Sequence, residues 1–181
     1  MAIKTFTAGE VLTASDTNTY LANSGLVWIA NGTASTTDFR LTCFSSTYDS
    51  YRLVISNCTT AGVRAVNLQL CIGTTIANTN YKYGGSYVTW TGLSGNVPEN
   101  AGTFWNIITA STSGDSSGSW DIHRPFIADQ TNFNGHATNF DAGLVMAGNN
   151  LNATSYDGIR ITNGSGDTTN FSYAIYGYRK S

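Results

Sequence analysis

From Tyr51 to Ser56 the chain alternates: Tyr51, Leu53 and Ile55 fall on one side, Arg52 and Ser56 on the other. Successive side chains of a strand point to opposite faces, so this period of two predicts a β-strand with one buried face. The pattern returns at Val66, Leu68, Leu70 and Ile72, with Asn67 and Gln69 opposite. Less regular apolar runs predict further strands at 39–44, 81–90, 104–109, 119–127, 137–147, 158–162 and 171–179. Turn chemistry separates them at Asn31-Gly32, Gly73-Thr74, Ser113-Gly114-Asp115, Gly148-Asn149-Asn150 and Asn163-Gly164-Ser165-Gly166. The stretch 91–103 holds Gly92, Gly95, Pro98 and Gly102 and reads as one long loop. About eight to ten strands with polar turns predict an all-β fold, an antiparallel β-sandwich of jelly-roll type.

The last strand departs from simple alternation. Phe171, Tyr173 and Ile175 make one apolar face, yet Tyr176 and Tyr178 make the other aromatic too. A strand apolar on both faces is either central in its own sheet or covered by a neighbouring subunit.

Composition narrows the function. Charged residues are 11% of the 181, the net charge is −2, and no Lys/Arg cluster exists. Nucleic-acid binding needs a basic stripe to displace counterions from phosphates, so that class is excluded. Aromatics reach 12%, enough to build a core, while Thr, Ser, Asn and Gly supply the polar positions. No apolar run approaches the roughly 20 residues of a membrane helix, so no membrane insertion is expected. No secretory signal is visible either, and the chain is expected to be made and kept in a cytosol until something moves it. Cys43, Cys58 and Cys71 lack metal-like spacing and read as small buried thiols.

Candidate chemistry is sparse. Asp121 and His123 share a strand face, with His136 and Asp141 on the next segment, but solvated polar residues account for them. Asp115, Asp121, Asp129, Asp141 and Asp157 could supply a glycosidase pair only by chance, so no enzyme, metal site or cofactor is expected. The oxygen-rich run 163–170 lacks calcium-loop spacing and reads as a turn. Aromatic rings remain: Tyr81, Tyr83, Tyr87 and Trp90 precede the long loop, and Trp105 and Trp120 follow it. Core packing is the ordinary fate of such rings; as a group, the first four are the candidate contact for a host surface glycan.

One stretch near the start points to a kind of particle. Phe6 to Leu21 reads FTAGEVLTASDTNTYL, an aromatic, a threonine and then Ala-Gly-Glu-Val-Leu-Thr-Ala. This run resembles the leader of small bacteriophage tail-fibre and fibre-like virion proteins. Weaker echoes lie at 44–56, Asn80 to Gly84 and 174–181. In residue terms Ser15 can cap a short helix from about Asp16 to Asn23, and Gly25 can stop it. So short a helix needs something to dock on: its own domain, as a frayed cap, or a partner. The resemblance favours a partner. It implies that Phe6, Val11, Leu12, Asp16, Asn18, Tyr20 and Leu21 attach the subunit to other virion proteins, leaving residues 26–181 as the sandwich head beyond a 1–25 attachment segment. It also implies a homotrimer, with Tyr176 and Tyr178 at the subunit contact, and a virion location after assembly in the host cytoplasm. The implied activity is a non-enzymatic tail fibre or receptor-binding adhesin, with capsid decoration, cement or head-fibre function as the alternative.

Overall fold

A computed structural model gives the fold, describing residues 25–112 and 116–179 together with Thr7, Gly9, Glu10, Val11 and Thr13. The strands are β1 (Leu26–Thr36), β2 (Phe39–Thr42), β3 (Tyr48–Thr60), β4 (Arg64–Ile72), β5 (Thr75–Ile76), β6 (Tyr81–Thr89) and β7 (Ser94–Asn96). They continue with β8 (Glu99–Gly102), β9 (Trp105–Ala110), β10 (Ser116–His123), β11 (Thr131–Thr138), β12 (Ala142–Asn150), β13 (Gly158–Asn163) and β14 (Thr169–Arg179). No helix occurs among the described residues.

The strands form two antiparallel sheets. The nine-stranded sheet runs β1-β14-β3-β10-β11-β12-β6-β7, with β8 also against β6. The five-stranded sheet runs β2-β13-β4-β5, with β9 against β4. Apolar faces meet between them, as the alternation of Tyr51, Leu53 and Ile55 against Val66, Leu68 and Leu70 requires; all six are buried. Aromatic contacts tie the layers at two places. Trp105 of β9 stacks on Phe133 of β11 with centroids 4.6 Å apart, and Tyr81 meets Trp105 edge-on at 5.0 Å. Farther along, Phe39 of β2 packs on Phe171 and Tyr173 of β14 at 5.2 and 4.8 Å. Each such pair contributes about 0.5–1.5 kcal/mol beyond the area it buries. The Trp120 indole fits inside the sheet only because Gly118 and Gly135 carry no side chain; a β-carbon at either would collide with it.

Several expected boundaries move. Asn31 and Gly32 were expected to turn, but they continue β1, where they pair with Ala174 and Tyr173. Segment 137–147 is two strands joined by a turn, closed by the Asn139 amide on the Ala142 carbonyl at 2.7 Å. Gly148, Asn149 and Asn150 finish β12 instead of breaking it. The strand expected to reach Ile127 stops at His123, because Arg124 adopts φ +60° and Pro125 follows. The long loop at 91–103 holds two short strands, β7 and β8, that pair with β6. The doubly aromatic β14 lies between β1 and β3, a central position that buries Phe171 and Ile175.

Candidate functional site

Strand register builds a row of side chains across the outer face of the nine-stranded sheet. Trp28, Tyr176, Arg52, Asp121 and Asn134 are successive cross-strand partners on β1, β14, β3, β10 and β11. The neighbouring row is Leu26, Tyr178, Ser50, His123 and Asn132. Between the rows the polar atoms close on one another. Arg52 donates to both Asp121 oxygens, Nε to Oδ1 at 2.8 Å and Nη2 to Oδ2 at 2.7 Å. The Tyr178 hydroxyl donates to Asp121 Oδ1 at 2.7 Å, and the Arg52 guanidinium lies 5.6 Å from the Tyr178 ring centroid. His123 uses both ring nitrogens, Nδ1 at 3.0 Å from Ser50 Oγ and Nε2 at 2.9 Å from Asn134 Oδ1.

These contacts set the ionisation of the face. Burial works to raise the Asp121 carboxyl, but hydrogen bonds from Arg52 and Tyr178 outweigh it and hold the group below its ordinary value. Burial, helped by the bond to Asp121, pushes the Tyr178 hydroxyl up to about 12. The Asp121 carboxylate is thereby held ionised and oriented within the sheet face. Tyr178 is thus tied into its own sheet, while Tyr176 stands half-buried beside Trp28, which is 59% exposed.

The other candidate acids are scattered. Asp129 pairs with Arg124 at 2.9 Å, Asp157 accepts the Gly73 amide at 3.0 Å, and Asp141 sits exposed in the β11–β12 turn. His136 projects from β11 opposite Ser119 and Val145. Asp115 lies outside the described residues. Among the described residues no three His, Cys, Asp or Glu side chains converge on a point that could hold a metal ion. The run after Asn163 is a turn closed by that side chain, which donates to the Asp167 carbonyl and Thr169 Oγ1 at 2.7 and 3.0 Å. Cys43, Cys58 and Cys71 are buried free thiols; burial raises all three, Cys71 to about 11 and Cys58 to about 12, which leaves them poor nucleophiles.

The proposed glycan aromatics are divided by the fold. Tyr81 is no surface residue. It is fully buried, its hydroxyl accepting from the Leu70 amide at 2.8 Å and donating to the Ala77 carbonyl at 3.1 Å. Trp105 and Trp120 are core as well. Tyr83 and Tyr87 alternate with outward residues of β6 and are half-buried against the core, so neither presents a free ring face on the outside of the sheet. Trp90 alone is open, at 65% exposure, its amide bonded to the Asp141 carbonyl.

Tyr87 nevertheless reaches a cavity. A pocket of about 240 Å³ opens at one end of the sandwich, between β6 and β12 on one side and β9 on the other. Tyr87, Leu144, Met146, Val97 and Val63 form apolar walls, and Asn106, Thr109, Asn139 and Asp141 supply polar groups. Asn139 Oδ1 accepts the Thr109 amide at 2.9 Å, fixing the β11–β12 turn over the edge of β9. Asn106 Oδ1 is buried out of reach of solvent and has no hydrogen-bond partner among the described residues. A larger trough of about 610 Å³ crosses β6, β11 and β12, but it is an open surface left by Gly84, Gly85 and Gly135.

Of the leader residues, Phe6, Leu12, Asp16, Asn18, Tyr20 and Leu21 lie outside the described residues, as does the expected helix. Val11 is described and is 78% exposed. The described part turns at Gly9, whose φ is +90°, with the Glu10 amide bonded to the Thr7 carbonyl at 3.0 Å. No family model, curated protein or solved structure matches the chain.

Sequence reasoning passed over Leu26 and Trp28: residues 26–30 are apolar throughout, so no period of two marks which side chains face outward. It also passed over Asn106 and Asn139. Nothing local marks those two; they matter through a cavity that β6, β9 and β12 build together.

Proposed function

We propose that this chain is a non-enzymatic structural protein of a bacteriophage virion, a tail fibre or receptor-binding adhesin held by its N-terminal leader. The observation that carries the reading is the uninterrupted FTAGEVLTASDTNTYL run at Phe6 to Leu21. The head is a jelly-roll form of the two-sheet sandwich, the leader docks as a short helix, and three heads assemble about one axis. Support for a subunit contact comes from the exposed Leu26 and Trp28 beside Tyr178 and Tyr176. Exposed apolar clusters of this kind favour protein contacts. The contact therefore centres on Trp28 and Tyr176, with Tyr178 as its internally bonded support. Absence of enzymatic activity is supported by the dispersal of Asp121, Asp129, Asp141 and Asp157 into separate surroundings. A capsid decoration or head-fibre role uses the same anchor and head; the pocket at Tyr87 favours the adhesin.

Deleting residues 1–23 tests the anchor. The truncated chain is expected to stay soluble with an unchanged β-rich circular dichroism spectrum and to disappear from purified particles. A truncated chain that still enters particles overturns the reading, and so does one that no longer folds.

A further inference from the structure

We infer that the pocket between β6, β9 and β12 is a binding site for a single neutral pyranose ring, the exposed end of a glycan. The inference rests on the adhesin reading for where that glycan comes from; the ligand class is argued from the walls.

Size comes first. Pockets for drug-sized ligands measure roughly 300–1,000 Å³. At about 240 Å³ this one suits one small ring and not an extended chain buried along its length. The walls then call for a molecule with two kinds of surface. Tyr87, Leu144, Met146, Val97 and Val63 offer apolar contact, which the C–H face of a pyranose matches and a fully polar solute does not. Asn106, Thr109 and Asn139 set amide and hydroxyl groups beside those walls, and sugar hydroxyls match such groups.

Charge fixes the rest. Asp141 is the one charged residue on the lining and has no ion pair among the described residues. A carboxylate accepts strong hydrogen bonds from hydroxyl groups and repels other anions. No Lys or Arg lines the pocket to offset it. Neutral sugars therefore fit, whereas uronic and other acidic sugars do not. Trp90, bonded through its amide to the Asp141 carbonyl and 65% exposed, is placed to stack on the next residue of the glycan outside the mouth.

The test titrates the isotope-labelled full chain with methyl glycosides of glucose, galactose and mannose, and with a methyl glucuronide, following amide shifts by NMR. At least one neutral glycoside is expected to shift the amides of residues 95–97 and 139–144, and the glucuronide to leave them in place. Asn106→Leu and Asp141→Asn are each expected to weaken that binding about tenfold, the value of one lost hydrogen bond. Trp90→Ala is expected to weaken a disaccharide and leave the monosaccharide unchanged. No shift with any neutral glycoside, equal binding of the glucuronide, or binding that neither pocket variant alters overturns the inference. Asp141 is exposed in a turn, so its variant folds even where Asn106→Leu does not. Each of these failures leaves the leader-deletion result untouched, so a wrong pocket and a wrong virion reading are told apart.

Discussion

Tyr178 and Tyr87 both belong to strands that are aromatic at alternate positions, and the fold gives them opposite surroundings. Around Tyr178 every strong polar group has a partner. Arg52 forks onto Asp121, Tyr178 bonds the same carboxylate, and His123 bridges Ser50 and Asn134. Around Tyr87 polar side chains line an apolar cavity, and Asp141 has no ion pair among the described residues. The difference separates architecture from recognition. A network that satisfies itself stiffens a sheet face and leaves the exposed Trp28 and half-buried Tyr176 rings beside it, the contact proposed above. A pocket that sets polar groups beside apolar walls has both kinds of surface to offer a ligand.

The contrast predicts that equivalent changes in the two regions move different observables. Asp121→Ala strands the Arg52 guanidinium and frees the Tyr178 hydroxyl. It is expected to cost about 2–3 kcal/mol, less than a fully buried pair because Arg52 keeps water access, as a lowered urea midpoint. Asp141→Asn is expected to change stability by less than about 0.5 kcal/mol in the same measurement, as surface substitutions usually do. Equal losses in both variants would erase the distinction.

Separating the two neighbouring tyrosines sharpens it further. Tyr178→Phe removes one hydrogen bond to a carboxylate and is expected to cost about 1.5 kcal/mol, with oligomeric state unchanged. Trp28→Ser and Tyr176→Ser are expected to do the reverse, dissociating the oligomer in sedimentation at a concentration where the native chain stays assembled. A native mass equal to one chain would remove the trimer from the account.

Titration distinguishes the regions more gently. Asp121 is held below its ordinary value in the folded protein, so its stabilisation is complete above the unfolded pKa of about 3.9 and is lost as acid takes pH through the folded value. Tyr178 behaves in the opposite sense. Its folded value is raised to about 12, so its stabilisation is full below the unfolded value of about 10 and disappears between the two. Unfolding midpoints across pH should show both edges in the native chain, and Tyr178→Phe should make the alkaline one shallower, leaving the part that the buried thiols and Tyr81 contribute. The smallest effect belongs to Gly95→Ala. Its β-carbon would sit 2.7 Å from the Tyr87 hydroxyl, so the ring must shift, altering glycoside affinity by a few fold at most while the fold persists.

Much of this architecture was readable in advance, for a physical reason. Val66, Leu68 and Leu70 alternate because one sheet face is core, and a period of two survives any choice of partner strand. Register is not written locally. Asn31-Gly32 has the chemistry of a turn, yet pairing with β14 keeps it extended in β1. Tyr81 and Trp90 are both aromatics of one predicted strand, and their opposite fates follow from cross-strand partners distant in sequence: Tyr81 faces Asn150 inside the sandwich, whereas Trp90 lies beyond the end of β6. The polar row from Tyr176 to Asn134 draws on four strands, so only Asp121 and His123, two residues apart on one strand, could be placed together beforehand. Asn106 was invisible for the same reason.

Electron cryomicroscopy of the intact particle tests the central claim most directly. The account predicts density for three copies of the two-sheet head about one axis, attached through the N-terminal leader. The Trp28 and Tyr176 faces turn toward that axis, and the Tyr87 pocket opens away from the particle. Particles that lack the chain, or heads whose pocket is closed against the capsid or tail, would contradict it.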